Sequence, residues 1–147
     1  MALRPLVRLD RASVVAHVNS GLEKAPGLAI CGAFLFGSSL GECRPESDID
    51  LGLVPAPGFA GPDWGLEAEV EAVLRPFEGH PPDASVLRPS PFGFEAVTAG
   101  QLIHVRDEAA VWDFVLGVCR RGAEMHWRYL QALRLATLDL GGATAHE

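Results

Sequence analysis

The sequence predicts an α/β (α+β) domain: a small mixed β-sheet with helices packed on one face and a long C-terminal helix or helix pair. Strand-length apolar segments alternate along the chain with segments whose apolar residues recur at helical spacing. The last segment keeps the helical spacing for much longer than the others. Alternating segments of this kind are typical of a sheet covered by helices.

The first half of the chain predicts one helix and two strands. Residues 9–24 have helical apolar spacing, and an Ala-Pro-Gly tripeptide ends that helix. Residues 28–36 are continuously apolar, as in a central strand. Residues 47–54 form the second strand, and a loop rich in proline and glycine covers residues 55–65.

The second half predicts the remaining sheet. Residues 66–77 have the apolar spacing of a helix, and the glutamates at 67, 69 and 71 are expected mostly on its solvent side. A short strand at 83–87 follows a Pro-Pro pair. One or two helical turns at 92–98 lead to a fourth strand at 102–105.

The segment 107–138 predicts a long helix that Asp107 can cap. Gly117 and Gly122 are poor helix residues and predict a bend or a break into two helices. Its apolar residues, including Trp127, cover more faces than one helix over a small sheet can hide. A surface for a partner, a self-association face and a longer cover for the sheet all remain open.

The length and the net charge of the chain limit the classes of function that it can have. With 147 residues the chain fits a single domain over 1–140, with a core at about 10–106, a helical segment at 107–138 and a disordered tail at 141–147. The net charge of −7 disfavours binding to long nucleic acid. A homo-oligomer is compatible with this composition.

The cysteines and the apolar runs indicate a cytoplasmic protein. Three cysteines form no C-x-x-C pair and leave an odd count, so neither a disulfide framework nor a zinc site is predicted. The first ten residues lack the apolar core of a signal peptide, and no apolar run has the length of a membrane span. We therefore expect no membrane partner.

Asp48 and Asp50 predict a metal site at the start of the second strand. Side chains alternate along a strand, so these two carboxylates point to the same face. Two like charges so close repel each other unless a cation lies between them. Oxygen ligands alone favour Mg²⁺, with Mn²⁺ as the alternative.

Gly37 and Ser38 predict an anion-binding turn after the first strand. A glycine there allows a sharp turn, and Ser38 and Ser39 can begin a helical turn whose free N–H groups face a phosphate. Ser47 can orient the neighbouring carboxylates by a hydrogen bond, although serine is equally common in turns. The lone histidines at 80 and 104 are weaker candidates.

Together these residues resemble the minimal nucleotidyltransferases of the DNA polymerase β-like superfamily. Their signature is Gly-Ser, usually ten residues, Asp-x-Asp, and a third carboxylate on a later strand. This chain has Gly37-Ser38, nine residues, then Asp48-Ile49-Asp50, and it is one residue short. Asp83 opens a later strand and matches the third carboxylate. An arginine that many relatives carry in the shortened loop is absent here.

The resemblance implies a nucleotidyltransferase fold and a specific chemistry. Asp48, Asp50 and Asp83 would hold Mg²⁺, Asp83 would also act as the base, and Gly37, Ser38, Ser39 and Ser47 would bind the nucleotide, with ATP as the substrate. Minimal members are commonly paired with a HEPN toxin. The resemblance therefore implies an antitoxin that transfers AMP to a hydroxyl of that partner.

Other classes of function remain open at this point. A stand-alone enzyme could modify a small acceptor such as an aminoglycoside. A catalytically impaired homologue could bind the toxin without transfer, which the shortened loop favours. A purely structural interaction protein would not need the carboxylates of Asp48, Asp50 and Asp83 together.

Overall fold

The computed structural model describes residues 5–37 and 42–145, with side chains described up to residue 138. These residues form a mixed α+β structure with four helices, two small sheets and a long C-terminal helix. The elements follow one another as β1 (Val7–Arg8), α1 (Arg11–Glu23), β2 (Ile30–Phe36), β3 (Glu42–Cys43), β4 (Ile49–Pro55), α2 (Asp63–Val73), β5 (Pro82–Val86), α3 (Pro91–Ala99), β6 (Gln101–Val105) and α4 (Glu108–Ala145).

The larger sheet has the strand order β5-β4-β2-β6. Strand β2 pairs antiparallel with both β4 and β6, whereas β4 and β5 are parallel. A parallel pair requires a crossover connection, and helix α2 supplies it. The short strands β1 and β3 form a separate antiparallel pair. Strands β2 and β4 are thus central, and for β2 the continuous apolar run of residues 28–36 predicts this position.

Helices cover both faces of the larger sheet. Leu51 and Leu53 of β4 belong to the core cluster that contains the apolar residues of α1 and α2. Val54 belongs instead to a second cluster with Ala96 of α3 and Val111 of α4. Successive side chains of a strand point to opposite faces, so the two clusters lie on opposite sides of the sheet. The prediction of helices on a single face is therefore wrong in this respect.

Helix α2 begins and ends earlier than its apolar spacing predicts. Asp63 lies in the first turn, directly after Pro62 at the N-cap, so the helix starts before Leu66. At the other end Leu74 has an extended backbone. The following Arg75 precedes a proline, which disfavours the helical conformation, so the helix cannot continue to Phe77.

Helix α4 is one continuous helix, so the predicted break into two helices is wrong. Asp107 caps it by accepting a hydrogen bond from the Ala110 N–H at 3.1 Å. Gly122 is buried against α3, where a Cβ would lie 2.6 Å from the Cβ of Phe94. The glycine thus permits close helix packing. The helix also continues past residue 138, where the sequence pattern ends it, to Ala145.

Beyond Gly122 helix α4 extends away from the sheet. Every described side chain from 123 to 138 is exposed, except the partly buried Gln131. Large apolar side chains are among them: Met125, Trp127, Tyr129, Leu130, Leu133, Leu135 and Leu138. In the described part of the chain, no helix combines the length and the apolar character needed to cross a bilayer.

Candidate active site

The carboxylates predicted from the sequence meet at one end of the sheet. Asp50 on β4 and Asp83 on β5 are direct Cα partners in the parallel register. Ala84 and Val86 pack in the core on the α2 side, so Asp83 points to the opposite face, which Asp50 shares. Asp48 lies two residues before Asp50 and precedes the strand. The structure therefore brings the three residues together.

The electrostatics of these groups reflect their proximity. Burial raises the pKa of Asp50, and the negative charges of Asp83 and Asp48 raise it further. Burial likewise raises the pKa of Asp83, with added contributions from Asp48 and Glu71. Both effects disfavour the charged carboxylate in the protein alone. A nearby cation would remove this penalty because it favours the charged forms.

Gly37 lies against the carboxylate of Asp50. It follows Phe36, which is the Cα partner of Asp50 in the β2–β4 pair, and it has a φ of +78°. A Cβ at this position would lie 2.2 Å from Asp50 Oδ2. Only glycine therefore fits this turn without moving the carboxylate. Ser38 and Ser39, predicted to bind the nucleotide, lie outside the described residues.

The loop before Asp48 is fixed by hydrogen bonds that the sequence analysis did not predict. The Ser47 hydroxyl accepts a hydrogen bond from the Arg44 N–H at 3.1 Å and closes a turn. The ring Nδ1 of the buried His80 lies 2.7 Å from the Ser47 carbonyl oxygen. The Ile49 N–H donates to the Pro81 carbonyl at 2.8 Å. His80 is thus a positioning residue for this loop, and a nucleotide contact of Ser47 stays a prediction.

Two glutamates of α2 hold the strand that carries Asp83. The N–H groups of Ala84 and Val86 donate to Glu71 Oε1 at 2.9 Å and to Glu67 Oε2 at 2.7 Å. These carboxylates satisfy the free edge of β5, which would otherwise expose unpaired backbone groups. We expected both glutamates mostly on the solvent side of the helix. Their spacing of four residues was the available signal, because it puts both on one face.

The donor set suits a hard divalent cation held partly by the protein. Asp48, Asp50 and Asp83 offer only carboxylate oxygens, which is the chemistry that Mg²⁺ prefers. The described residues contain no compact group of three or more His, Cys, Asp or Glu side chains already arranged around a metal position. Mg²⁺ commonly uses one or two carboxylates and takes its other ligands from water and phosphates. The Asp50–Asp83 pair fits that mode of binding.

Comparison of the chain with models of known protein families, with curated protein sequences and with solved structures finds no significant match.

Proposed function

We propose that this chain is a Mg²⁺-dependent nucleotidyltransferase of the DNA polymerase β-like superfamily. In this proposal it transfers AMP from ATP to a hydroxyl group. The acceptor is a tyrosine of a HEPN toxin encoded beside it, and the chain acts as the antitoxin. The partner and the acceptor rest on the resemblance of the Gly37-Ser38 and Asp48-x-Asp50 motif to minimal members of the superfamily.

The observation that best supports the chemistry is the pairing of Asp50 with Asp83 beside Gly37. Three sequence features that are separate along the chain converge at one end of the sheet. Burial and neighbouring carboxylates raise the pKa of both Asp50 and Asp83, so keeping these groups ionised together is costly, and a cation bound there would offset that cost. The glycine turn packs directly against the Asp50 carboxylate, so the turn proposed to bind phosphate and the proposed metal ligand are immediate neighbours.

The proposed reaction assigns a role to each group, and Asp83 has two. Asp48, Asp50 and Asp83 would hold Mg²⁺, which supplies positive charge against the triphosphate and the departing pyrophosphate. The turn after Gly37 would orient the phosphates. The acceptor oxygen forms a bond to the α-phosphorus as the bond from that phosphorus to pyrophosphate breaks. Asp83 takes the hydroxyl proton.

Calorimetry of ATP binding tests the metal part of this proposal. We expect ATP to bind with Mg²⁺ and to lose affinity strongly when the cation is chelated. Removing even the hydrogen-bond partner of a metal ligand typically costs ~10–100-fold in metal affinity, so Asp50→Asn should weaken Mg²⁺-ATP binding by at least about tenfold. Asp113→Asn removes an exposed carboxylate of α4 and is the matched control.

A loss of ATP binding by Asp50→Asn supports the proposal only if this variant stays folded. Asp50→Asn removes one of the like charges, so its melting temperature without metal should equal or exceed that of the wild type. Equal ATP affinity with and without Mg²⁺ in the wild type would contradict the proposal. Incubation with labelled ATP, with and without the product of the neighbouring gene, then identifies the acceptor.

A binding-only antitoxin is the second candidate, and one observation favours it. The interval between Gly37-Ser38 and Asp48 is one residue shorter than in the family signature. In that case the chain would bind its partner and Mg²⁺-ATP without transferring label to any protein. Label transfer that needs Asp83 would exclude this candidate.

A further inference from the structure

A small recess opens beside the carboxylates, between the end of β2 and helix α3. It has a volume of about 190 Å³. Its lining consists of Phe36, Gly37, Phe92, Glu95, Ala96 and Ala99. Phe36 is the Cα partner of Asp50, and Gly37 lies against the Asp50 carboxylate, so the recess borders the proposed metal site.

The recess is aromatic and has room for a further ring. Phe36 and Phe92 meet edge to face, with ring centroids 5.4 Å apart and an interplanar angle of 72°. Phe92 is 49 % exposed, so part of its ring remains accessible to a ligand although it packs on Phe36. Ala96 and Ala99 are small and leave the space open. A flat aromatic ligand would therefore find stacking surface here.

The volume of the recess and the carboxylate of Glu95 restrict the kind of ligand further. Pockets that enclose a whole drug-sized ligand measure ~300–1,000 Å³, so this recess fits only part of a nucleotide. The charged remainder would lie outside it, toward Asp50 and Asp83. Glu95 is exposed and contributes a carboxylate to the recess. An ionised carboxylate only accepts hydrogen bonds, so it favours a ring that carries an N–H donor.

We propose that this recess binds the base of the nucleoside triphosphate, and that the base is a purine with an exocyclic amino group. Phe92 stacks on the ring, and Glu95 accepts a hydrogen bond from the amino group. This inference rests on the proposed function, because the triphosphate must lie at the neighbouring carboxylates. It assigns a specificity-determining role to helix α3, which the sequence motif does not include.

The test compares ligands with and without a base on the full chain in the presence of Mg²⁺. Calorimetry measures ATP and inorganic tripolyphosphate, and the ratio of the two affinities isolates the contribution of the base. Stacking of a base on an aromatic side chain contributes substantially to binding, so Phe92→Ala should lower ATP affinity about tenfold. Tripolyphosphate affinity should not change. Trp64→Ala, which removes a different exposed aromatic side chain on α2, is the control and should change neither affinity.

Two further variants keep the test independent of any single substitution. Ala99→Leu fills the recess at an exposed position and should also weaken ATP without affecting tripolyphosphate. Glu95→Ala should remove any preference for ATP over purine riboside triphosphate, which lacks the amino group. Circular dichroism and melting temperature confirm that each variant is folded.

The possible failures are distinguishable. If the wild type binds ATP and tripolyphosphate with Mg²⁺ but Phe92→Ala and Ala99→Leu leave their ratio unchanged, the base lies elsewhere. The inference is then wrong, and the proposed function stands. If the folded wild type binds neither ligand, both the proposed function and the inference are wrong.

Discussion

The backbone of Gly37 and the carboxylate of Asp50 are in direct contact, so that a single added methyl group would displace the carboxylate. Gly37 also has a φ of +78°, which lies in the left-handed region that residues other than glycine rarely adopt. The turn after β2 and the proposed metal ligand on β4 are therefore one structural unit. Any change to the turn is also a change to the carboxylate.

The first prediction follows from this contact. Gly37→Ala should lower the free energy of unfolding by about 1 kcal/mol or more, because it adds backbone strain and a clash. It should also abolish Mg²⁺-ATP binding measured by calorimetry. Gly58→Ala is the matched control, since Gly58 has a φ of +80° but, among the residues that the structure describes, no atom beyond its chain neighbours would lie within 4 Å of an added Cβ. If both variants bind Mg²⁺-ATP equally, the contact has no role in the site.

The second prediction concerns the glutamates that hold β5. Hydrogen bonds to charged groups contribute ~1.5–3 kcal/mol, so Glu71→Ala should destabilise the fold by a similar amount as it frees the Ala84 N–H. The strand that carries Asp83 should loosen, and Mg²⁺-ATP affinity should fall. Glu69→Ala on the same helix alters an exposed residue and should change neither quantity. Chemical denaturation and calorimetry measure the two effects. Equal stability of the two variants would contradict the edge role of Glu71.

Much of this architecture follows from local patterns in the sequence. The strand that becomes β2 is a continuous apolar run, and the placement of Asp50 and Asp83 at one edge of the sheet follows from their positions near the starts of two strands. The face that each helix covers does not follow. Val54 and Leu53 are both fully buried apolar residues, and only the assembled sheet shows that they belong to different cores.

Long-range polar contacts were also beyond a sequence argument. His80 and Ser47 are separated by 33 residues, and a lone histidine gives no sign of its partner. From the sequence alone Gly122 predicts a bend or a break, because helix propensity considers only the residue itself. Its actual role depends on Phe94 of another helix. In each case the deciding neighbour comes from a distant part of the chain.

The third prediction concerns the pH dependence of stability at His104. Burial lowers the pKa of His104 below its ordinary value of 6.5, the positive Arg106 lowers it further, and Glu23 acts in the opposite direction. Its Nδ1 lies 2.8 Å from Asn19 Oδ1, and Arg106 Nε donates to its Nε2 at 3.1 Å. Below about pH 6.5 the unfolded chain takes up a proton that the folded chain resists. The contribution of neutral His104 to stability is therefore fully present above that pH, and it is lost as the pH falls toward the lowered pKa.

This dependence is measured by denaturation between pH 5 and 8. His104→Gln cannot titrate, so its stability should vary less with pH over that range than that of the wild type. His126→Gln, at an exposed position of α4, should keep the wild-type slope. A wild-type curve that does not decline at acid pH relative to His104→Gln would show that this histidine is not the group responsible.

The last prediction tests the extended part of α4 as a partner surface. Trp127 is 60 % exposed in the segment beyond Gly122, so Trp127→Glu should leave the melting temperature and Mg²⁺-ATP binding unchanged. Buried aromatic residues dominate many interfaces, and losing one at a hot spot costs ~2 kcal/mol or more. Co-purification with the product of the neighbouring gene, or self-association seen by light scattering, should therefore be lost. Ala132→Glu adds the same charge at an exposed position on nearly the opposite side of the helix and should retain the association. If Trp127→Glu associates as the wild type does, this face of α4 is simply exposed, and the surplus of apolar residues there has another cause.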